Sequence, residues 1–279
     1  MAGPNIQIKR LSPVIGAEIL EVDLSKEMNS DLISKIKRAL LDYGVIFFRN
    51  QELTPQDQMK FASYFSELIE YPFIEGIDGF PNVVPVLKRS KELSNFGGVW
   101  HSDTAYLPEP PMGTILYAKE IPPIGGDTLF ANMYEAFDTL SDGMKKMILA
   151  LKAINSAANK KVSDTRADRL LESGRDVSNV QTVSSHPVVR THPETGRKAL
   201  YVNRAHTVRF EGMTKKESAP ILSYLYEHQV QQEFVCRFRW TKGAVAFWDN
   251  RCTQHYPIND YQGFSRLLHR VTLKGDKPV

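Results

Sequence analysis

The chain has 279 residues, 42% of them hydrophobic and 24% charged, with a formal net charge of +3. That length can bury a sizeable core and is read as one domain over 1–279. The small charge and the dispersal of Lys and Arg give no reason to expect a nucleic-acid or membrane partner, and no apolar run approaches the roughly 20 residues of a membrane span.

The first residues, Met1-Ala2-Gly3-Pro4-Asn5, lead into mixed sequence with no apolar signal core, so a cytoplasmic protein is expected. Self-association is left open. Short β-like runs surround Pro13 and Gly16. Asn29 or Ser30 can cap a helix that ends at Tyr43, with Ile33, Ile36 and Leu40 at helical spacing. Val45 to Phe48 reads as a buried strand. Thr54-Pro55-Gln56-Asp57 opens a second helix through a capping box with Pro in the first turn, and its buried face is expected to carry Met59, Ala62 and Phe65.

From residue 83 the texture changes to short strands, predicted at 83–87, 113–118, 128–131, 184–190, 200–203, 234–240, 244–248 and 267–273. Turn signals separate many of them, such as Pro122-Pro123, Gly125-Gly126 and Pro193-Glu194-Thr195-Gly196. Many short strands without βαβ alternation predict a mainly β fold with helical insertions, built on a double-stranded β-helix (jelly roll) core. The insertions are expected at 141–154 and 215–230. The polar stretch 156–181 is a surface loop or a lid over the site. Cys236 and Cys252 lack C-x-x-C spacing and are expected as free buried thiols in neighbouring strands.

Trp100-His101-Ser102-Asp103 carries the strongest chemical signal. His101 and Asp103, two apart, lie on one face of an extended segment, about 6–7 Å between Cα atoms, so imidazole and carboxylate can converge on one metal ion. Two His and one carboxylate on one face of an octahedron leave positions open for a chelating cosubstrate and dioxygen. A third ligand is needed. His186, His192, His228 and His269 read as structural or surface residues, and His206 is undecided. His255 stands apart because it follows a strand and turn, Ala246 to Arg251, late in the chain. Further on, Arg266, Leu268 and Arg270 alternate onto one face of an apolar strand, where a guanidinium is costly unless it meets an anion. Their spacing, about 13 Å along the strand, is too long for one small carboxylate and implies two anions.

These residues fall in a wider pattern. It includes Tyr43-Gly44-Val45-Ile46-Phe47-Phe48-Arg49, Gly125-Gly126-Asp127-Thr128, His186-Pro187-Val188-Val189-Arg190, Trp248-Asp249-Asn250-Arg251-x-x-x-His255 and Arg266-x-x-x-Arg270. With it, the chain resembles the Fe(II)/2-oxoglutarate-dependent dioxygenases of the taurine and 2,4-dichlorophenoxyacetate dioxygenase family along nearly its whole length. The resemblance implies His101, Asp103 and His255 as catalytic iron ligands. It implies Thr128 and Arg266 as the pair that holds the far carboxylate of the cosubstrate 2-oxoglutarate, and Arg270 as the grip on an anionic prime substrate. It further implies decarboxylation of 2-oxoglutarate by dioxygen, coupled to C–H hydroxylation. Hydroxylation is expected because Asp103 fills a site that a related halogenase leaves for chloride.

Two other classes compete: a non-catalytic jelly-roll binding protein, and a cupin-type isomerase or hydrolase using another divalent metal. The full ligand set argues against the first, and Arg266 with Thr128 against the second. Within the family, taurine-cleaving members carry a His-Pro-x-Tyr run and an Asn three residues before the motif Trp. The matching places here read Tyr71-Pro72-Phe73-Ile74 and Gly97, and His206 stands where a Phe is expected. Tyr71, Tyr106 and His206 are therefore the expected substrate-pocket residues. A small anion with a larger apolar body, aryloxyalkanoate-, alkyl-sulfate- or sulfonate-like, is expected ahead of taurine itself.

Overall fold

The computed structural model describes residues 6–158 and 179–279, together with Glu172 and Gly174. The lid expected within 156–181 therefore falls largely outside the described residues. Strands β1 (Gln7–Arg10), β2 (Ala17–Leu20), β3 (Val45–Phe48), β4 (Leu68–Ile69), β5 (Val84–Lys88) and β6 (Gly113–Glu120) join a large sheet with two late strands, β14 (Val245–Asp249) and β16 (Arg266–Leu273). Its order is β1-β2-β3-β14-β6-β16-β4, and β5 pairs with the same edge of β16 as β4, along Arg266–Arg270. A smaller sheet faces it, with β7 (Thr128–Asn132) between β13 (Val235–Phe238) and β15 (Thr253–Pro257). The two together make the jelly roll.

Both faces of the large sheet are covered, which explains why its strands read as near-continuous apolar runs. Val45 and Phe47, Leu116 and Ala118, Ala246 and Trp248 point between the sheets, against Phe130 and Phe238. Ile46 and Phe48, Ile115 and Tyr117, Val245 and Phe247 point the other way, onto helices α1 (Ser30–Tyr43) and α2 (Pro55–Ser63). Phe47 stacks on Phe238 at 3.9 Å between ring centroids, a pairing worth about 0.5–1.5 kcal/mol beyond its buried area.

Both helix starts follow the sequence. The Asn29 side chain accepts from Leu32 N–H, and Thr54 and Asp57 form a reciprocal capping box. The buried face of α2 differs from the one expected: Gln58, Phe61 and Ala62 are buried, while Met59 and Phe65 are only partly covered. The Gln58 amide NH2 donates to His269 O at 2.9 Å inside the core, while its Oε1 is buried without a hydrogen-bond partner.

The middle of the chain departs from expectation in three places. The helix expected at 141–154 stops early: Met133–Asp138 (α3) and Asp142–Ile148 (α4) are helical, and Lys152–Ser156 is a strand, β8. Pairing with β9 (Val183–Pro187) and β12 (Thr207–Phe210) overrides the helical propensity of that run. The strand expected at 184–190 breaks at Val188, whose N–H bonds to Leu151 O, so that β10 (Val189–Thr191) pairs with β11 (Lys198–Leu200) instead. Residues 201–203, expected in that strand, lie beyond it. A final helix, α5 (Lys215–His228), covers this half. Cys236 and Cys252 are free and buried, but only Cys236 lies in a strand; Cys252 sits in the turn before β15, across β7 from Cys236. Among the described residues no helix is long and apolar enough to cross a membrane.

Candidate metal centre and its anion pocket

His101 and His255 come together through the backbone. They form an isolated antiparallel pair, exchanging N–H···O bonds of 3.1 and 2.9 Å, which sets their imidazoles side by side with ring centroids 4.1 Å apart. The chain then turns sharply, with Thr104 at a φ of 42°, an uncommon conformation for a β-branched residue. That turn brings Asp103 Oδ1 to 3.8 Å from His101 Nε2 and 4.0 Å from His255 Nε2. The ligand atoms of all three side chains lie within 4.8 Å of one another, a spacing at which they could hold one metal ion.

Protonation suits metal binding. His101 Nδ1 lies 2.7 Å from Val99 O, so it carries the proton and leaves the Nε2 lone pair free. Burial keeps the His101 imidazole neutral. Burial, with the neighbouring His101 and Arg270, pushes His255 down to about 3 against the pull of Asp103. Burial alone would raise the Asp103 carboxyl, but His255, Arg270, His101 and a hydrogen bond from Thr114 outweigh it and hold it at about 2. Two neutral imidazoles and a carboxylate are the donor set that a divalent transition metal prefers.

These three side chains share a cavity of about 40 Å³ with Thr128, Arg266 and Arg270. The period of β16 puts both Arg, with Leu268 between them, on the inner face, and all three are buried. Arg266 Nη2 lies 3.4 Å from Thr128 Oγ1, which also accepts from Trp240 Nε1 at 2.9 Å. Next to them, Gly126 has a φ of +74°, and a Cβ there would meet Pro122 Cγ at 3.1 Å and Arg266 Cδ and Tyr261 Cδ1 at 3.3 Å, so a side chain at this turn would be strained. Nε of Arg266, and Nε and Nη2 of Arg270, are buried without a hydrogen-bond partner. Buried guanidinium groups left this way call for an anion, as 2-oxoglutarate and an acidic substrate would supply.

Of the expected substrate residues, Tyr71 packs against Arg270, while Tyr106 and His206 pack against each other near His101. Arg270 lies over the Tyr71 ring at 4.1 Å and near Phe96 at 5.7 Å. His206 stands 5.0 Å from Tyr106 and 6.4 Å from His101, between centroids, so the residue left undecided is brought to the site. At Gly97 a Cβ would meet the His101 ring at 2.9 Å, and φ is positive, so a side chain there conflicts with His101 as placed.

Sequence reasoning assigned no role to Thr114 or Asn250, which hold Asp103. Nothing local marks Thr114 among the β-branched residues of a strand.

A second buried cluster, His192, Asp249 and Cys252, also has metal-like spacing. Its donors are already engaged. Asp249 accepts from Arg251 Nε at 2.9 Å and Nη2 at 2.7 Å and from His192 Nε2 at 3.0 Å, while His192 Nδ1 accepts from Glu194 and Thr195 N–H. Burial opposes the Asp249 charge, yet Arg251 and His192 hold its carboxyl well below the usual range. This ion-pair network ties β14 to the turn after β10. Asp249→Ala leaves the Arg251 charge buried with a weakened partner set and is expected to cost about 3–5 kcal/mol, read as a lower urea midpoint at unchanged m-value.

The taurine catabolism dioxygenase TauD, TfdA family model matches residues 7–272. The chain is 33% identical to an alpha-ketoglutarate-dependent sulfate ester dioxygenase of Pseudomonas putida, over 95% of this chain and 88% of that protein. It is 32% identical to an alkylsulfatase of Acinetobacter baylyi, over 97% of this chain and 86% of that protein. A taurine dioxygenase structure from Burkholderia xenovorans matches with a TM-score of 0.84 at 36% identity, covering 99% of this chain and 91% of that one. The matches span both sheets and every strand that carries the site. The chain therefore belongs to the TauD, TfdA family of Fe(II)- and 2-oxoglutarate-dependent dioxygenases.

Proposed function

We propose that His101, Asp103 and His255 hold the iron, that Arg266 and Thr128 hold the distal carboxylate of 2-oxoglutarate, and that Arg270 grips a small acid with an apolar body, which is hydroxylated. In this reading residues 1–279 act as one catalytic domain, and the two free buried thiols accord with residence in the cytoplasm. One observation carries the assignment: two partner-poor buried guanidinium groups open onto the same cavity as the His-x-Asp and His255 set.

Bound iron supplies the dioxygen chemistry that converts 2-oxoglutarate to succinate and carbon dioxide. The protein supplies position. Arg266 and Thr128 would hold the far carboxylate of the cosubstrate, in the cavity they share with His101, Asp103 and His255. Arg270 anchors the acid of the substrate, and apolar walls of buried Leu116 and Trp248 with half-buried Val86 and Phe96 limit water at the reacting carbon.

The wall chemistry supports an apolar anion over taurine. Tyr71, Phe73, Ile74, Val84 and Tyr106 form an apolar cluster beside Arg270. Asp103 is the sole carboxylate among the described lining residues of the cavity, so an ammonium group would be desolvated without an anion to pair with. The names of the sulfate ester dioxygenase and the alkylsulfatase point the same way. Succinate release that depends on Fe(II) and 2-oxoglutarate is expected to be faster with alkyl sulfates or aryloxyalkanoates than with taurine at equal concentration. Taurine giving the highest kcat/KM would sink the substrate reading.

A further inference from the structure

Asp103 presents one oxygen to the imidazoles, and a hydrogen-bonded chain behind it dictates which one. Asn250 lies at the end of β14, and its Oδ1 faces two groups that can only donate, Trp248 Nε1–H at 2.9 Å and Asp103 N–H at 3.2 Å. That orients the amide without ambiguity: the oxygen faces those donors and the NH2 faces the other way. There the NH2 donates to Thr114 Oγ1 at 3.1 Å and, more weakly, to Asp103 Oδ2 at 3.4 Å. Because Thr114 Oγ1 accepts from Asn250, its single hydrogen is directed to Asp103 Oδ2, 2.7 Å away. Donors run in one direction, from Asn250 through Thr114 to the carboxylate, in a fully buried setting where such bonds reinforce one another.

Thr114 owes its place to strand period. It shares the inner face of β6 with Leu116 and Ala118, and it lies opposite Trp248 in the β14–β6 register. Thr114 on β6 and Asn250, just past the end of β14 and held by Trp248, thus converge on Oδ2 of Asp103, the oxygen not turned to His101 and His255.

Resting on the ligand assignment above, we infer that Thr114 and Asn250 are positioning residues that commit Asp103 to single-oxygen ligation. With Oδ2 occupied by two donors, only Oδ1 is available to the ion. A carboxylate released from this clamp can turn and chelate with both oxygens, closing a coordination position that the cosubstrate or dioxygen needs. Outer hydrogen bonds of this kind typically govern metal affinity by roughly 10–100-fold.

The test compares Thr114→Val, which keeps the shape and loses the donor, with Thr114→Ser, which keeps the donor. Mn(II) titration calorimetry of the apoprotein and the visible spectrum of its Co(II) form are the readouts, with circular dichroism melting as the check on folding. Thr114→Val is expected to lose about tenfold or more in Mn(II) affinity and to change the Co(II) band intensity, while Thr114→Ser stays within about twofold of the parent. If Thr114→Val does not fold, Thr114→Cys, whose thiol donates only weakly, carries the same expectation. A folded variant without the hydroxyl donor that matches the parent in both readouts overturns the inference. His101→Ala is run alongside: Mn(II) affinity undiminished in that variant would overturn the ligand assignment itself, a failure separate from that of the clamp.

Discussion

Asp103→Ala is expected to abolish coupled hydroxylation and to weaken metal binding by more than the roughly 10–100-fold that loss of an outer hydrogen bond costs. The reason is twofold: the substitution deletes a donor atom, and it removes the negative charge that offsets a dication in a buried cavity beside Arg270. The fold should survive, because Thr114 and Asn250 retain each other as partners at 3.1 Å. Anaerobic addition of Fe(II) and 2-oxoglutarate to the parent should develop the weak visible charge-transfer band of the chelate, and Asp103→Ala should not. Parent-like turnover with stoichiometric iron in the mutant would remove Asp103 from the ligand set.

Arg266→Ala and Arg270→Ala should separate the two anions. Truncating one partner of a buried charge pair costs about 2–5 kcal/mol, which is roughly 30- to 4000-fold in affinity. For Arg266→Ala that loss should fall on the KM for 2-oxoglutarate, because Thr128 Oγ1 remains without the guanidinium charge beside it. For Arg270→Ala it should fall on the prime substrate, whose acid would face only the aromatic rings of Tyr71 and Phe96. The measurement is KM for each ligand in each mutant. Equal loss of 2-oxoglutarate affinity in both mutants, with substrate affinity unchanged, would refute the two-anion arrangement.

Period-2 patterning made much of the site legible before any contact was known. It put Arg266, Leu268 and Arg270 on one face, and the structure has all three buried on the inner face of β16. The same reading failed where pairing partners decide the outcome. Lys152–Ser156 has helix-compatible residues and is a strand because β9 and β12 flank it. His192 was read as a structural histidine, and it is one, but its partner Asp249 lies 57 residues away and could not be inferred from its neighbours.

By itself, the sequence determined the donor types, their local spacing and the alternation of the β16 arginines, because those follow from backbone geometry over a few residues. Only the tertiary structure decided that His101 pairs with His255, and that Asn250, 147 residues beyond Asp103, reaches its backbone N–H directly and its carboxylate through Thr114. Such contacts depend on which strands pair and in what register, and a one-residue slip would reverse every inward side chain of a strand.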